Sequence, residues 1–173
     1  MNVRPVAPGD LPAIHAIYAH AVTNGTASFE LEPPSLAEME VRMRAITGGG
    51  FPYLVAAVDG RVAGYAYVNA YRPRPAYRFA VEDSIYIAPE AQRRGVGQAL
   101  LTRLLEGCTT AGYRQMIAVI GDSAQHASIG LHRRNGFVFS GTVHAVGFKH
   151  GRWLDSVLMQ RALGDGDTTA PVG

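Results

Sequence analysis

Residues 92–100, which read Gln-Arg-Arg-Gly-Val-Gly-Gln-Ala-Leu, constrain the fold of this chain more than any other segment. They follow an apolar strand pattern and a short turn, and they open a segment with apolar residues at helical spacing. The first amides of a helix have no partner within it, and the helix dipole places partial positive charge there. Gly95 and Gly97 leave the backbone accessible, and Arg93 and Arg94 add fixed positive charge. The segment therefore predicts a phosphate or pyrophosphate site at this turn.

Two common phosphate-binding motifs do not match the turn. A P-loop ends in Gly-Lys-Ser/Thr, but the only lysine of the chain is Lys149, and the dinucleotide-binding fingerprint requires glycine or alanine where Leu100 stands. The remaining match is Gln/Arg-x-x-Gly-x-Gly/Ala, which resembles the pyrophosphate loop of the GNAT superfamily of N-acetyltransferases. The alternative is a glycine-bearing helix start with two solvated arginines.

The composition is that of one globular domain. The chain has 173 residues, of which 47% are hydrophobic and 17% charged. No apolar run approaches the roughly 18 residues of a membrane span, and residues 1–10 lack a signal-peptide pattern. The single cysteine, Cys108, fits a reducing cytoplasm, which is the expected location. The net charge is +2 and the basic residues form no run, so neither a membrane nor a nucleic acid is an expected partner.

The order of predicted elements indicates a mixed α/β (α+β) fold. Asp10 and Ser35 are predicted to cap two helices, and an Asp-Gly pair at residues 59–60 predicts a hairpin turn. The full order, β-α-α-β-β-β-α-β-α-β-β, suits a mixed sheet with helices on both faces. One domain is expected over residues 1–163, followed by a polar, glycine-rich and disordered tail over residues 164–173.

Several longer motifs narrow the resemblance to the phosphinothricin and methionine sulfone or sulfoximine acetyltransferases, over roughly residues 2–161. They are Tyr-Ala-His-Ala-Val at 18–22, Gly-Thr at 25–26, Phe-Glu at 29–30, Tyr-Arg-Pro-Arg-Pro-Ala-Tyr-Arg at 71–78, Val-Glu-Asp-Ser at 81–84, Ile-Gly at 120–121, Ala-Ser-Ile-Gly-Leu-His at 127–132, Gly-Phe at 136–137 and Gly-Phe-Lys-His-Gly-Arg-Trp at 147–153. The resemblance implies the N-acetyltransferase fold, a mostly antiparallel mixed sheet whose fourth and fifth strands splay into a cofactor cleft. It also implies acetyl-CoA as the acetyl donor, a small-molecule amine as the acceptor, and a homodimer.

Acetyl transfer to an amine has three physical requirements. The amine must be neutral when it attacks, the developing oxyanion needs a donor, and the leaving thiolate benefits from a proton. Glu82 is the candidate for keeping the amine neutral. A carboxylate in an apolar strand is costly unless it is solvated or paired, so its presence there suggests a site. Alternation places Glu82 and Ser84 on one side of the strand and Asp83 on the other. The resemblance favours Glu82 as the general base and Asp83 as a support or substrate contact; the alternative for Glu82 is a structural ion pair with an arginine.

His132 is the candidate for protonating the thiolate. The phosphinothricin branch that the chain resembles has histidine at this position, and an imidazole titrates near neutral pH. The alternative is a histidine that packs its helix against the sheet. Neither a His-Glu-x-x-His motif nor a Cys/His cluster occurs, so no metal site is predicted.

The glycine turn and the resemblance together assign further residues to donor and acceptor. Those expected to bind the cofactor are Ile85, Tyr86, Ile87, Arg93, Arg94, Gly95, Val96, Gly97, Gln98, Gln125 and Ser128. Gln125 stands where the family usually has asparagine near the pantetheine. Those expected to contact the acceptor are Phe29, Arg72, Pro73, Arg74, Arg78, Glu82, Asp83 and Ser84, with Lys149 and Trp153 as additional lining. The arginines suit an amino-acid analogue, whose carboxylate matches the guanidinium fork bidentately.

Three functions are compatible with these residues. The first is acetylation of α-amino-acid analogues. The second keeps the fold and acetyl-CoA but uses a polyamine, an aminoglycoside or a protein N-terminus as the acceptor. A cationic acceptor calls for acidic walls, which the loop of Arg72, Arg74 and Arg78 does not provide. The third is a non-catalytic acyl-CoA-binding regulator, which predicts binding without turnover.

Overall fold

The computed structural model describes residues 1–171, and its elements follow the order expected from the sequence. Its strands are β1 (Asn2–Pro5), β2 (Tyr53–Val58), β3 (Arg61–Ala70), β4 (Ala80–Ile87), β5 (Gln115–Gly121), β6 (Val138–Lys149) and β7 (Arg152–Ala162). Its α-helices are α1 (Leu11–Asn24), α2 (Leu36–Gly48), α3 (Val96–Thr110) and α4 (His126–Arg134). Short 3-10 turns precede α1, β4 and α3.

The seven strands form one sheet in the order β1-β2-β3-β4-β5-β7-β6. All neighbouring pairs are antiparallel except β4 and β5, which run parallel. That pairing ends where Asp83 lies opposite Ala118, although β4 continues to Ile87 and β5 to Gly121. Beyond this point the two strands no longer pair with each other. The mixed sheet and the splayed cleft implied by the family resemblance are therefore confirmed.

Helices cover both faces of the sheet, as alternation along β3 shows. The ring of Tyr65 stacks on Tyr86 at 5.4 Å, and Tyr18 of α1 contacts the same Tyr86 ring at 5.0 Å. At the neighbouring Gly64, a Cβ atom would lie 3.1 Å from Val96 at the start of α3. Because successive side chains of a strand point to opposite faces, α1 and α3 lie on opposite sides. Within residues 1–171, the buried apolar residues other than Leu154 form one core. No helix in this range is long and apolar enough to cross a membrane.

Two local features predicted from the sequence are confirmed. Asp59 and Gly60 both have positive φ, 50° and 77°, as a two-residue hairpin turn between β2 and β3 requires. Ser35 caps α2, because its Oγ accepts a hydrogen bond from the backbone N–H of Glu38 at 3.2 Å.

The starts of two helices differ from the prediction. Asp10 does not cap α1 with its side chain; its carboxylate instead accepts two hydrogen bonds from Arg4, each 2.7 Å, and one from the Ala7 N–H at 2.8 Å. The helix predicted to open at residue 92 begins at Val96. Arg93 has φ 59°, and a left-handed residue interrupts a right-handed helix.

The C-terminal segment also differs from the predicted disorder. Residues 164–171 form turns beside Arg114, whose guanidinium donates to Gly166 O at 3.2 Å and to Thr169 Oγ1 at 3.0 Å. One arginine with several oxygen acceptors can order a segment that has little apolar surface to bury. Residues 172 and 173 of the predicted tail lie outside the described residues.

Candidate active site

The opening between β4 and β5 is a cleft with walls from both strands, from the segment between α1 and α2, and from α4. It is lined by Ala27, Asp83, Ser84, Ile85, Tyr86, Ala118, Val119, Ile120, Gly121, Gln125, Ser128 and His132. Seven of these twelve residues were predicted site residues, four from β4 and three from the α4 region. The fold therefore brings the predicted cofactor strand and the predicted α4 residues to one cleft.

Glu82 lies on β4 opposite Ile117, one residue before the β4–β5 pairing ends. Its side chain is partly buried. Burial raises the pKa of the Glu82 carboxyl and the negative charge of Asp83 raises it further, while Arg72 opposes the shift. Among residues 1–171 no arginine or lysine forms a salt bridge with Glu82, so the structural ion pair considered as its alternative is not formed.

Asp83 points to the opposite face of β4 and forms a buried pair with His132. The imidazole Nε2 lies 3.0 Å from Asp83 Oδ2, and Nδ1 lies 2.8 Å from the carbonyl oxygen of Ser128. Both partners are oxygen acceptors when Asp83 is ionised, so a doubly protonated imidazole would satisfy both contacts. Burial lowers the pKa of His132, but the hydrogen bond and charge of Asp83, aided by the Ser128 carbonyl, outweigh burial and raise it.

This arrangement differs from the expectation that His132 protonates a leaving thiolate. Both ring nitrogens already have partners, and the residue is only 4% exposed. The geometry matches the alternative, a histidine that packs its helix against the sheet. The same contact fits the expected supporting role of Asp83, although Asp83 Oδ1 is buried with no hydrogen-bond partner in the described chain and lies at the cleft.

The start of α3 keeps the features predicted for a phosphate site. The first hydrogen bond of the helix runs from the Ala99 N–H to Gly95 O, so the amides before Ala99 have no helical partner. Arg93 and Arg94 are exposed, and nothing lies within 4 Å of the position that a Cβ at Gly95 would take. This open helix start, flanked by two guanidinium groups, suits an anion.

Gly97 has a packing role that the sequence did not indicate. A Cβ at this position would lie 3.2 Å from Leu131 Cδ2. Glycine therefore permits the close approach of α4 to α3, in addition to leaving the backbone of the turn open.

Some predicted cofactor residues have side chains that are engaged elsewhere. Gln98 exchanges hydrogen bonds with the Asn135 side chain at 2.7 and 3.0 Å. Gln125 lines the cleft, but its Nε2 donates to Thr26 Oγ1 at 3.1 Å. The longer glutamine, in place of the family's asparagine, thus reaches across to the segment between α1 and α2. Gln98 can serve a ligand only through its backbone amide.

The arginines of the 72–78 loop are all exposed but have different surroundings. Arg72 is the arginine whose charge acts on Glu82. Both Arg72 and Arg78 lie over neighbouring rings, with the Cζ of Arg72 5.3 Å from the Tyr71 ring centre and that of Arg78 4.4 Å from the Phe79 ring centre. Of the predicted acceptor contacts in this loop, Arg72 is therefore electrostatically linked to the candidate base.

Phe29 lies in a slot between two strands. A Cβ at Gly121 of β5 would lie 2.8 Å from Phe29 Cε1, and one at Gly147 of β6 would lie 2.5 Å from Phe29 Cε2. Lys149 and Trp153 do not line the cleft as expected. Lys149 is only 4% exposed, whereas the side chain of Trp153 on β7 is 65% exposed.

A tyrosine cluster on the Glu82 face was not singled out from the sequence. It consists of Tyr18, Tyr53, Tyr65, Tyr67 and Tyr86. Tyr67 lies opposite Ser84 and Tyr65 opposite Tyr86 in the β3–β4 pairing, which places both on the same face as Glu82. The sequence signal for this cluster was the two-residue spacing of Tyr65 and Tyr67, which places both side chains on one face of β3.

Among residues 1–171, no three His, Cys, Asp or Glu side chains are grouped to hold a metal ion.

Comparison with known proteins decides the family. The model of the acetyltransferase (GNAT) family matches residues 14–137. A phosphinothricin N-acetyltransferase of Alcaligenes faecalis is 56% identical over 170 residues, which cover 98% of this chain and 86% of the relative. The chain belongs to the GNAT acetyltransferase family.

Two further comparisons confirm the resemblance of this acetyltransferase to the phosphinothricin and methionine sulfone group. An L-methionine sulfoximine/L-methionine sulfone acetyltransferase of Pseudomonas paraeruginosa is 42% identical over 171 residues, 98% of either chain. The crystal structure of a GNAT superfamily phosphinothricin acetyltransferase from Sinorhizobium meliloti, in complex with AcCoA, superimposes with a TM-score of 0.96 at 53% identity. That comparison covers 99% of this chain and 92% of the other.

Proposed function

We propose that this acetyltransferase transfers the acetyl group of acetyl-CoA to the α-amine of a small amino-acid analogue such as phosphinothricin, methionine sulfone or methionine sulfoximine. The observation that carries the proposal is a glutamate of raised pKa, Glu82, at the point where β4 and β5 separate and under the influence of Arg72. Relatives whose names give these acceptors span nearly the whole chain, which supports the same acceptor class.

The described residues fit acetyl-CoA along the cleft. The exposed turn with Arg93 and Arg94 suits the pyrophosphate. Residues 84–87, which no longer pair with β5, suit the pantetheine, whose amides can bond a strand edge as an added strand does. The relative crystallised with AcCoA supports the same donor. When bound, acetyl-CoA supplies the acetyl group as a thioester.

The acceptor is placed on the Glu82 face of the sheet. Arg72 and Arg74 bind its carboxylate, and Phe29 forms a wall of the pocket. A guanidinium that holds the carboxylate also orients the neighbouring α-amine, because the two groups share one carbon. Positively charged loop residues disfavour a polyamine or an aminoglycoside, whose own charges are positive.

Glu82 performs the proton step in this proposal. It removes the proton that the amine nitrogen loses as the C–N bond forms, directly or through one water, while the C–S bond breaks and the thiolate leaves. A raised pKa makes the carboxylate a stronger base than an exposed glutamate. His132 keeps Asp83 in place and carries no proton to the sulfur, since both its N–H groups are engaged.

We also propose a homodimer that associates through the β6–β7 hairpin. The outer strand β6 is an edge of the sheet. Of the thirteen large apolar side chains that are exposed within residues 1–171, six lie on this hairpin: Val138, Phe139, Val143, Val146, Phe148 and Trp153. An edge strand with several exposed apolar side chains favours association, and a second copy of the chain offers the same strand in return.

A substrate panel tests the acceptor class. Phosphinothricin, methionine sulfone, methionine sulfoximine, spermidine and an aminoglycoside are compared for thiol release from acetyl-CoA. We expect turnover with the first three and little with the two polycations. Faster turnover with spermidine or the aminoglycoside would overturn the acceptor assignment. Acetyl-CoA binding without turnover of any amine would indicate the regulator instead.

A further inference from the structure

The segment that follows α1 is held by side chains that are distant in sequence. Residues 25–30, here named the acceptor loop, have no regular secondary structure. Thr26 Oγ1 donates to Asp122 Oδ2 at 2.8 Å, and Gln125 Nε2 donates to Thr26 Oγ1 at 3.1 Å. An irregular segment with such contacts has one fixed position rather than many, so the groups that hold it also determine where its side chains stand.

Lys149 makes the most unusual of these contacts. It is the last residue of β6, only 4% exposed, and its Nζ donates to the carbonyl oxygen of Ser28 at 2.8 Å. Ser28 is buried too, and its hydroxyl bonds Tyr18 Oη at 2.9 Å. A lysine normally extends its ammonium into water, because burying the charge is costly. Here the ammonium is buried, donates to one backbone carbonyl of the acceptor loop, and is also under the influence of the negative charge of Glu30.

Phe29 directly follows the carbonyl that Lys149 holds. Its ring occupies the slot left by Gly121 and Gly147, and Gly147 lies two residues before Lys149 on the same strand. One strand thus supplies both the space for the ring and the donor that fixes the backbone beside it. Ala27, on the other side of Ser28, lines the cleft.

We infer that Lys149 is a positioning residue for acceptor specificity, whose ammonium latches the acceptor loop so that Phe29 stands as a fixed wall of the acceptor pocket. The inference deepens the proposed function and rests on it for the identity of the acceptor. Lys149 touches neither acceptor nor donor. It acts through Ser28 and Phe29, and its loss widens and loosens the acceptor pocket without disturbing the donor site at α3.

Replacement of Lys149 by methionine tests the latch, because methionine keeps most of the apolar stem and removes the donor. We expect Lys149→Met to raise the KM for methionine sulfone by at least about tenfold, the scale of one hydrogen bond to a charged group. The KM for acetyl-CoA should change less than twofold. Lys149→Arg, which retains a donor, should recover most of the acceptor KM. Arg61→Met, at an exposed cation of β3, is the matched control and should leave both constants unchanged.

Hydrogen exchange measures how firmly Lys149 holds the acceptor loop, independently of activity. In Lys149→Met, amides of residues 25–30 should exchange faster while those of β4 keep their protection. Faster exchange with an unchanged acceptor KM would overturn the specificity role. An equal rise in both KM values would also overturn it, since that pattern indicates general destabilisation.

A second variant changes the position of Phe29 from the strand that faces its ring. It tests the inference if Lys149→Met does not fold. Gly147→Ala places a methyl group against Phe29 and leaves Lys149 intact. It should raise the acceptor KM and spare that of acetyl-CoA, and a normal acceptor KM would contradict the inference. Absence of turnover in the wild-type protein with every amine would defeat the proposed function, while the exchange experiment would still report on the latch.

Discussion

At the scale of single residues, two adjacent carboxylates of β4 have opposite surroundings. Glu82 faces the tyrosine cluster and has a raised pKa, whereas Asp83 faces α4 and pairs with His132. Neighbouring side chains of a strand point to opposite faces, so Glu82 and Asp83 contact different layers of the molecule. The charge of Asp83 still acts through the strand, because it is the second cause of the raised pKa of Glu82.

Glu82→Gln should lower kcat by about a hundredfold or more near neutral pH, the usual scale for loss of a general base. Glutamine keeps the size of the side chain but cannot accept the amine proton. Acetyl-CoA affinity, measured by calorimetry, should hardly change. Glu90→Gln, at an exposed acid in the turn before α3, is the control. Wild-type turnover in Glu82→Gln over the whole pH profile would leave Glu82 with a structural role only.

Asp83→Asn should move the acidic limb of the kcat/KM profile to lower pH. Asp83 raises the pKa of Glu82, so its removal lowers that pKa and the Glu82 carboxylate becomes available as a base at lower pH. Asparagine also keeps an oxygen acceptor toward His132. The measurement is kcat/KM against pH for both proteins, and an unmoved or upward-shifted limb would contradict the role given to Asp83.

At the scale of elements, the candidate functional positions lie where regular structure stops. The end of the β4–β5 pairing makes the cleft, the left-handed turn before Val96 opens the start of α3, and the loop of residues 72–78 carries Arg72, whose charge acts on Glu82. Backbone groups at such ends have no partner within their own element, so they remain available to a ligand.

Arg72→Met should raise the KM for methionine sulfone by roughly tenfold to a hundredfold, which corresponds to about 1.5–3 kcal/mol for a lost charged hydrogen bond. The KM for acetyl-CoA should stay constant. Arg44→Met, at an exposed arginine of α2, is the matched control. The decarboxylated analogue of methionine sulfone gives an independent check: if it is acetylated as well as the parent compound, the carboxylate contact is wrong.

Replacing both Arg93 and Arg94 by alanine should weaken acetyl-CoA binding by on the order of tenfold, equivalent to about 1.4 kcal/mol. The loss should shrink at high salt, because exposed charges are screened. Arg103→Ala changes an exposed arginine further along α3 and should leave the affinity unchanged. Equal affinity of the double variant and the wild type, by calorimetry at low salt, would remove the basis for placing the pyrophosphate at this turn.

At the scale of the whole molecule, the exposed apolar side chains are unevenly distributed. The β6–β7 hairpin carries six of these side chains, and the same hairpin carries the Lys149 contact to the acceptor loop. The side of the molecule that we propose for dimerisation is therefore also the side that holds the acceptor loop.

The protein should sediment at about twice its chain mass of 18.5 kDa. Phe148→Glu combined with Trp153→Glu should shift it to the monomer, because two charges would be buried at the interface. These two rings contact each other at 5.2 Å. Val41→Glu, at an equally exposed apolar residue of α2, should leave the dimer intact. A monomeric wild type at micromolar concentration would contradict the proposal.

The sequence by itself determined the order of the elements, the hairpin at Asp59, the opposed faces of Glu82 and Asp83, and the glycine turn. These features follow from spacing within a few residues, which the local backbone dictates. The family resemblance then supplied the splayed cleft and the acetyltransferase assignment, and both agree with the structure and the comparisons.

Tertiary structure alone decided the partners of the buried charges. His132 meets an acid 49 residues away, Lys149 a carbonyl 121 residues away, and Arg114 a carbonyl 52 residues away. Those contacts engage both ring nitrogens of His132, bury the Lys149 ammonium against the acceptor loop, and hold turns within residues 164–171, which were expected to be disordered. Periodicity within one element does not specify which distant group faces a side chain, because that depends on how all the elements pack.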